Sequence, residues 1–210
     1  DKVVSIDNPS KANVGTYTLQ VENLAQSGFL TGRQLDKSVT ENTQISSIVE
    51  HPHPGSKISV NNTVIEITED MTIGQLAAKI AEINNTHANF DSTNHRFFVS
   101  ATKPGGDYDF QIKAEDEGGK EVLKALGISD GGESRIHGQN AKIKFNGVEY
   151  TSSTNNFNIS GVSIKANSAS KEAVSITIGA NKKDTKPIKD FVNSYNEIEI
   201  GRAVQQECRD

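Results

Sequence analysis

The sequence holds one cysteine, Cys208, and no tryptophan in 210 residues. A single thiol makes no intramolecular disulfide, no cysteine cage for a metal and no redox pair. Everything before Cys208 therefore tolerates any redox compartment. Hydrophobic residues are scarce at 34%, and the mean hydropathy is −0.53. That favours small, thin, strand-rich units over one large core. No stretch approaches the ~20 apolar residues that span a bilayer, so no membrane-spanning helix is expected. The opening residues DKVVSIDNPS lack the pattern of a signal peptide. A cytosolic protein, export by a route that does not use this segment, and a leader lying outside the sequence all stay open. A long basic run is missing too, and the net charge is −5. Without a phosphate-binding footprint, nucleic acid is not an expected partner.

Catalytic signatures are equally scarce. There is no Gly-x-Ser-x-Gly elbow, and Gly105-Gly106, Gly118-Gly119 and Gly131-Gly132 lack the spacing and flanking elements of a phosphate-binding loop. All three pairs read as turns. The histidines are His51, His53, His87, His95 and His137. His51-x-His53 lies among prolines in a solvated loop with no third ligand in view, and His95 and His137 read as surface positions. Asp107, Asp109, Glu115, Asp116 and Glu117 form an acidic group. Asp107 and Asp109 alternate with Tyr108 and Phe110, which places them on the solvated face of a strand running through Ile112 and Ala114. The expectation is a non-enzymatic protein with no cofactor and no metal.

What is present is alternation. Tyr17, Leu19 and Val21 mark a strand after Gly15. Residues 27–56 are weakly patterned, and His51-Pro52-His53-Pro54-Gly55 forms a break. Ile58 and Val60, then Ile65 and Ile67, flank a turn at Asn61-Asn62. Thr72 with Gln75 predicts a capping box. It opens a helix whose Ile73, Leu76, Ala77, Ile80 and Ile83 share one face. A second hairpin spans Ala88–Ser100, with its turn at 91–94. A short helix over Lys120–Leu126 ends on Gly127.

Later, Asn140–Asn196 changes period. Ala141, Ile143 and Phe145 meet Val148 and Tyr150 through Asn146-Gly147, the strongest short hairpin signal. Two more strands carry Val162, Ile164, Ala166 and Val174, Ile176, Ile178. From Ile188 the spacing of Phe191, Val192, Tyr195 and Ile198 is helical. Phe191 and Tyr195 are candidate contacts to a further helix or another subunit.

These elements predict a β-rich α+β fold. It consists of two small domains of mainly antiparallel sheet with one or two packed helices, the second domain inserted in the first. Residues 1–45 and 133–182 form the discontinuous domain, and 57–130 the insert, ordered hairpin–helix–hairpin. Residues 10–26 are expected to complete a sheet with 137–180. A helix starts in 184–200. The tail 201–210 breaks the apolar series with Gly201, Arg202 and Gln205, and reads as non-native.

Word order adds a resemblance. Gly15-Thr16-Tyr17 through Val21 to Leu24-Ala25-Gln26 resembles the GxYxxxVxxLAQ segment of the flagellar hook-associated protein 2 (FliD) family, the filament cap proteins. Gly138-Gln139-Asn140-Ala141, Phe145–Thr151, Ser153-Thr154-Asn155, Ile159–Ile164 and Ile188–Asn196 resemble the start of that family's C-terminal half. The hairpin and helix from Ile58 to Asn84 look like a module of flagellin-type proteins. The similarity spans residues 12–198 in the family's order. It implies a head piece without the terminal coiled-coil segments, with 184–200 as the first turns of the leg helix. It also implies a structural cap at the flagellar tip that promotes flagellin folding and insertion. Its partners would be other copies of itself, in a ring, and flagellin. It would be extracellular, exported by the flagellar secretion apparatus. The alternative is a surface adhesin module that binds host glycans or mucin. A different flagellar component, flagellin itself or a junction protein, is disfavoured by the Leu24-Ala25-Gln26 segment.

Overall fold

A computed structural model describes residues 3–7, 14–129 and 134–179. The expected leg helix at 184–200, with Phe191 and Tyr195, lies outside these residues, as do the tail 201–210 and the Gly131-Gly132 boundary. In chain order the elements are β1 (Val4–Asp7), β2 (Gly15–Asn23), β3 (Phe29–Thr31), β4 (Ser56–Val60), β5 (Thr63–Ile67), α1 (Ile73–Ala81), β6 (Thr86–Asp91) and β7 (Arg96–Ala101). They continue with β8 (Ile112–Ala114), α2 (Glu117–Leu126), β9 (Arg135–Ile136), β10 (Ala141–Phe145), β11 (Val148–Ser152), β12 (Asn156–Ile159), β13 (Val162–Ala166) and β14 (Val174–Ile178). The fold is α+β and β-rich, with antiparallel pairing throughout the described sheets.

Two apolar cores form. The outer one lies between the sheets β1-β13-β12 and β11-β10-β2-β14. Alternation turns Leu19, Val21, Ile143 and Phe145 inward from one sheet, and Phe157, Ile159, Val162 and Ile164 inward from the other. β2 sits between β10 and β14, with Leu19 opposite both Phe145 and Val174. The expected pairing with the C-terminal strands is observed for Gly15–Asn23. Asn146 and Gly147 take φ of 49° and 80°, which the two-residue turn requires.

The inner core joins the sheets β6-β7-β3-β9 and β5-β4-β8 with both helices. α1 begins as its sequence dictates. Thr72 accepts from the Gln75 amide at 3.2 Å, and the Gln75 side chain accepts from the Thr72 amide at 2.9 Å. Ile73, Leu76, Ala77 and Ile80 are buried. The buried Thr86 hydroxyl donates to the Ile80 and Ile83 carbonyls at 2.6 and 2.7 Å, closing the other end.

Three expectations need correction. The boundary at residue 45 falls inside the inner core, where Leu30, Leu35, Val39 and Ile45 are buried. Leu30 lies in the three-residue β3, Leu35 and Val39 in irregular chain and Ile45 at a 3₁₀ turn, so they leave no period to read. The strand expected from Tyr108 covers only Ile112–Ala114, and Gly106–Tyr108 is a 3₁₀ turn. Gly118-Gly119 is no turn but the first turn of α2, whose N-cap Asp116 accepts from the Gly119 amide at 2.7 Å. A Cβ on Gly119 would stand 2.0 Å from the Lys57 carbonyl oxygen. The glycines there let the helix approach the β4 backbone.

Candidate functional site

The chain passes between the two cores at 24–28 and 134–140, and the loop 105–109 lies against both crossings. Backbone pairing fixes the crossings to each other. Gln26 and Gln139 exchange amide–carbonyl bonds at 2.9 and 3.0 Å, and the Gly105 amide also reaches the Gln26 carbonyl at 3.1 Å. Asn140 accepts from the Gly106 amide at 2.9 Å, while its own carbonyl accepts from the Asn23 side chain at 2.7 Å. The Asn155 side chain accepts from the Ala25 amide at 2.7 Å.

Under this lattice sits an ion pair. The Arg135 side chain is 1% exposed and donates from Nη2 to Asp109 Oδ1 at 2.9 Å. It also donates to the Phe110 carbonyl at 2.6 Å and, from Nη1, to the Ile136 carbonyl at 2.6 Å. Its guanidinium carbon lies 4.1 Å from the Phe110 ring centre. A buried charge is tolerated only with this degree of satisfaction. His137 meets the other carboxylate oxygen at 3.0 Å through Nδ1. Burial, the largest single influence, pushes the Asp109 carboxyl up, but hydrogen bonds from Arg135 and His137 and the Arg135 charge outweigh it and hold it below the usual carboxylate range. The glycines complete the fit. A Cβ on Gly28 would stand 1.9 Å from Asp109 Oδ1, and Gly105 has φ of 105° with Ser153 Cβ 2.7 Å from its missing side chain.

This arrangement ties both crossings to the loop 105–109. Asp109 is spent on Arg135 and His137, and no group of three or more His, Cys, Asp or Glu side chains among the described residues has the geometry to hold a metal. No helix among them is long and apolar enough to cross a membrane. His51 and His53 are exposed in their loop, and Asp107 is exposed. His95 is half-buried, its Nδ1 3.1 Å from the Val39 carbonyl. Asp109 lies on no solvated strand face: it follows a 3₁₀ turn, outside β8, and is largely buried. Its partners lie 26 and 28 residues away, beyond the reach of local periodicity.

Two separate apolar cores, tied at the chain crossings by the Asp109–Arg135 pair and the Gln26–Gln139 bonds, define a class of β-rich α+β folds. Within that class, residues 138–200 match the family model described as the C-terminus of flagellar hook-associated protein 2. Solved flagellar cap proteins share the fold. The FliD (HAP2) structure from Pseudomonas aeruginosa is 22% identical with a TM-score of 0.63, covering 95% of this chain and 94% of that one. The FliD D2-D3 domains from Serratia marcescens are 21% identical at 0.61, covering 85% and 100%. The D2-D3 domains from Escherichia coli are 17% identical at 0.64, covering 86% and 96%. No curated protein matches the chain. The resemblance to flagellar cap proteins is thus borne out by the family match over 138–200 and, across most of the chain, by the fold.

Proposed function

We propose that this chain is the head of a flagellar filament cap: a non-enzymatic, extracellular subunit at the filament tip that assembles with copies of itself and promotes flagellin folding and insertion. The observation that supports this reading is the family match at 138–200 within a fold shared with cap proteins along 95% of the chain. The head would comprise two domains, one from residues 3–7, 14–28 and 137–179 and one from 29–129 with 134–136. The junction at Asp109, Arg135 and Gln139 would set the angle at which the inner domain stands on the outer. Work in such a cap is mechanical, so surfaces held at a fixed angle matter more than any reactive group. The test is genetic. Deleting the encoding gene should stop filament growth and release unpolymerised flagellin into the medium. Normal filaments in the deletion strain would reject the proposal. Mucin or glycan binding by the chain together with normal filaments would assign it to adhesion instead.

A further inference from the structure

β5 is the free edge of its sheet: β4 pairs with one side, and no described strand pairs with the other. The turn before it sets which backbone groups are free. Asn61 and Asn62 have φ of 49° and 65°, and Val60 pairs with Thr63. In such a two-residue hairpin the closing pair shares both hydrogen bonds, so Thr63, Ile65 and Ile67 turn their backbone groups to β4. Val64 and Glu66 turn theirs outward. The opposite side of β4 agrees with this phase, since the Lys57 carbonyl accepts from Glu115 there and the Asn61 amide donates to the Gln111 carbonyl.

The usual protections of an edge strand are a proline, a lysine, a bulge or a cover. Residues Thr63-Val64-Ile65-Glu66-Ile67 contain no proline or lysine, and their pairing with β4 is unbroken. The α1 face bearing Gln75, Ala78, Lys79 and Glu82 stands across from the edge without covering it. Between them runs an open groove of about 1420 Å³. That exceeds the ~300–1,000 Å³ of small-molecule sites. Its strand wall is about 17 Å long, from five residues at ~3.4 Å each, so it suits a length of extended chain. Val64, 56% exposed, and Ala78 give it an apolar stripe.

Charge then selects the occupant. Lys79 is the one cation among the lining residues, against five carboxylates. Asp70 is engaged by Thr68, and Asp109 by Arg135 and His137. The carboxylates of Glu66, Glu82 and Asp107 make no hydrogen bond or ion pair with the described residues. A second copy of β5 added here would set Glu66 against an acidic wall, and like charges facing across a ladder repel.

We propose that the groove between β5 and α1 binds an extended, lysine- or arginine-rich segment of a partner polypeptide as an added strand, paired to the backbone of Val64 and Glu66. The mode is strand addition, in which the ladder supplies affinity and the flanking side chains supply selectivity. It stands apart from the cap reading, since it rests on the edge and the groove alone.

The probe is a fluorescein-labelled peptide of sequence Lys-Val-Lys-Thr-Lys-Val-Lys-Thr, titrated into the 210-residue protein at low salt. Anisotropy should rise to saturation, and the Val64 and Glu66 amides should show the largest NMR shifts. Glu82→Lys should weaken binding by about tenfold, and so should N-methylation of alternate peptide amides, each tenfold being one step on the affinity scale. Val64→Pro removes the outward donor from an edge position that tolerates proline. If that variant melts early, Ala78→Phe fills the groove from the exposed side of α1 and should have the same effect. Equal binding of the methylated peptide, shifts centred away from β5, or no saturable binding would overturn the proposal. Concentration-dependent dimerisation through β5, seen by sedimentation without peptide, would overturn it in favour of a second copy.

Discussion

Asp109 is the residue on which most of the junction's polar geometry converges. Replacing it with alanine leaves the Arg135 charge buried without its partner. The expected loss is about 3 kcal/mol, near the low end for breaking a buried pair, because the Asp109 side chain keeps 17% exposure. Urea denaturation measures this, and a cycle with Arg135→Ala isolates the pair. Additive losses in that cycle would mean that the two charges do not depend on each other. The same carboxylate gives a sign for pH. Its pKa is lowered in the fold, so its contribution is complete above the unfolded value of about 3.9 and fades as pH falls through the lower folded value. The Asp116 carboxyl is lowered by the Gly119 and Lys57 amides and acts in the same window. The urea midpoint should therefore fall below about pH 4, and Asp109→Asn should flatten part of that slope. An unchanged slope would deny Asp109 its share.

Elements carry a different lesson, because their signals are local. The α1 capping box, the turns at Asn61-Asn62 and Asn146-Gly147, and the alternation of β2, β10, β13 and β14 could all be read from neighbours in the chain. Thr72→Ala should cost about 1 kcal/mol by removing the cap, read as a drop in melting temperature. What escaped reading depended on distant partners. β3 is three residues long and exists because β7 and β9 flank it. The α2 glycines look like a break until the Lys57 carbonyl beside them is seen. Gly119→Ala should therefore destabilise by about 2 kcal/mol or more, well beyond any gain in helix propensity. A neutral or stabilised variant would show that β4 yields to the added methyl. The junction was the least legible part. Asp109, Arg135 and Gly28 come from separate segments, and none has a neighbour in sequence that hints at the others.

At the scale of the whole molecule, the described residues form two separate apolar cores joined at crossings rich in polar contacts. Leu76→Ala in the inner core should cost about 3 kcal/mol. It should speed amide exchange in β4–β7 and α1 while leaving β10 and β13 nearly unchanged. Equal acceleration in both sets would mean that the junction makes them one cooperative unit. The central place of β2 has a temporal consequence. Thr16 and Thr177 bring their hydroxyls within 3.4 Å across 161 residues of chain, whereas residues 29–128 supply the inner core from one continuous stretch. Closing so long a loop is slow compared with local pairing. Folding should thus run from the inside outward, the inner unit acquiring protection first and the sheet around β2 closing last. Until β14 arrives, one edge of β2 stands open, and that waiting edge is where a misfolded copy would join its neighbour.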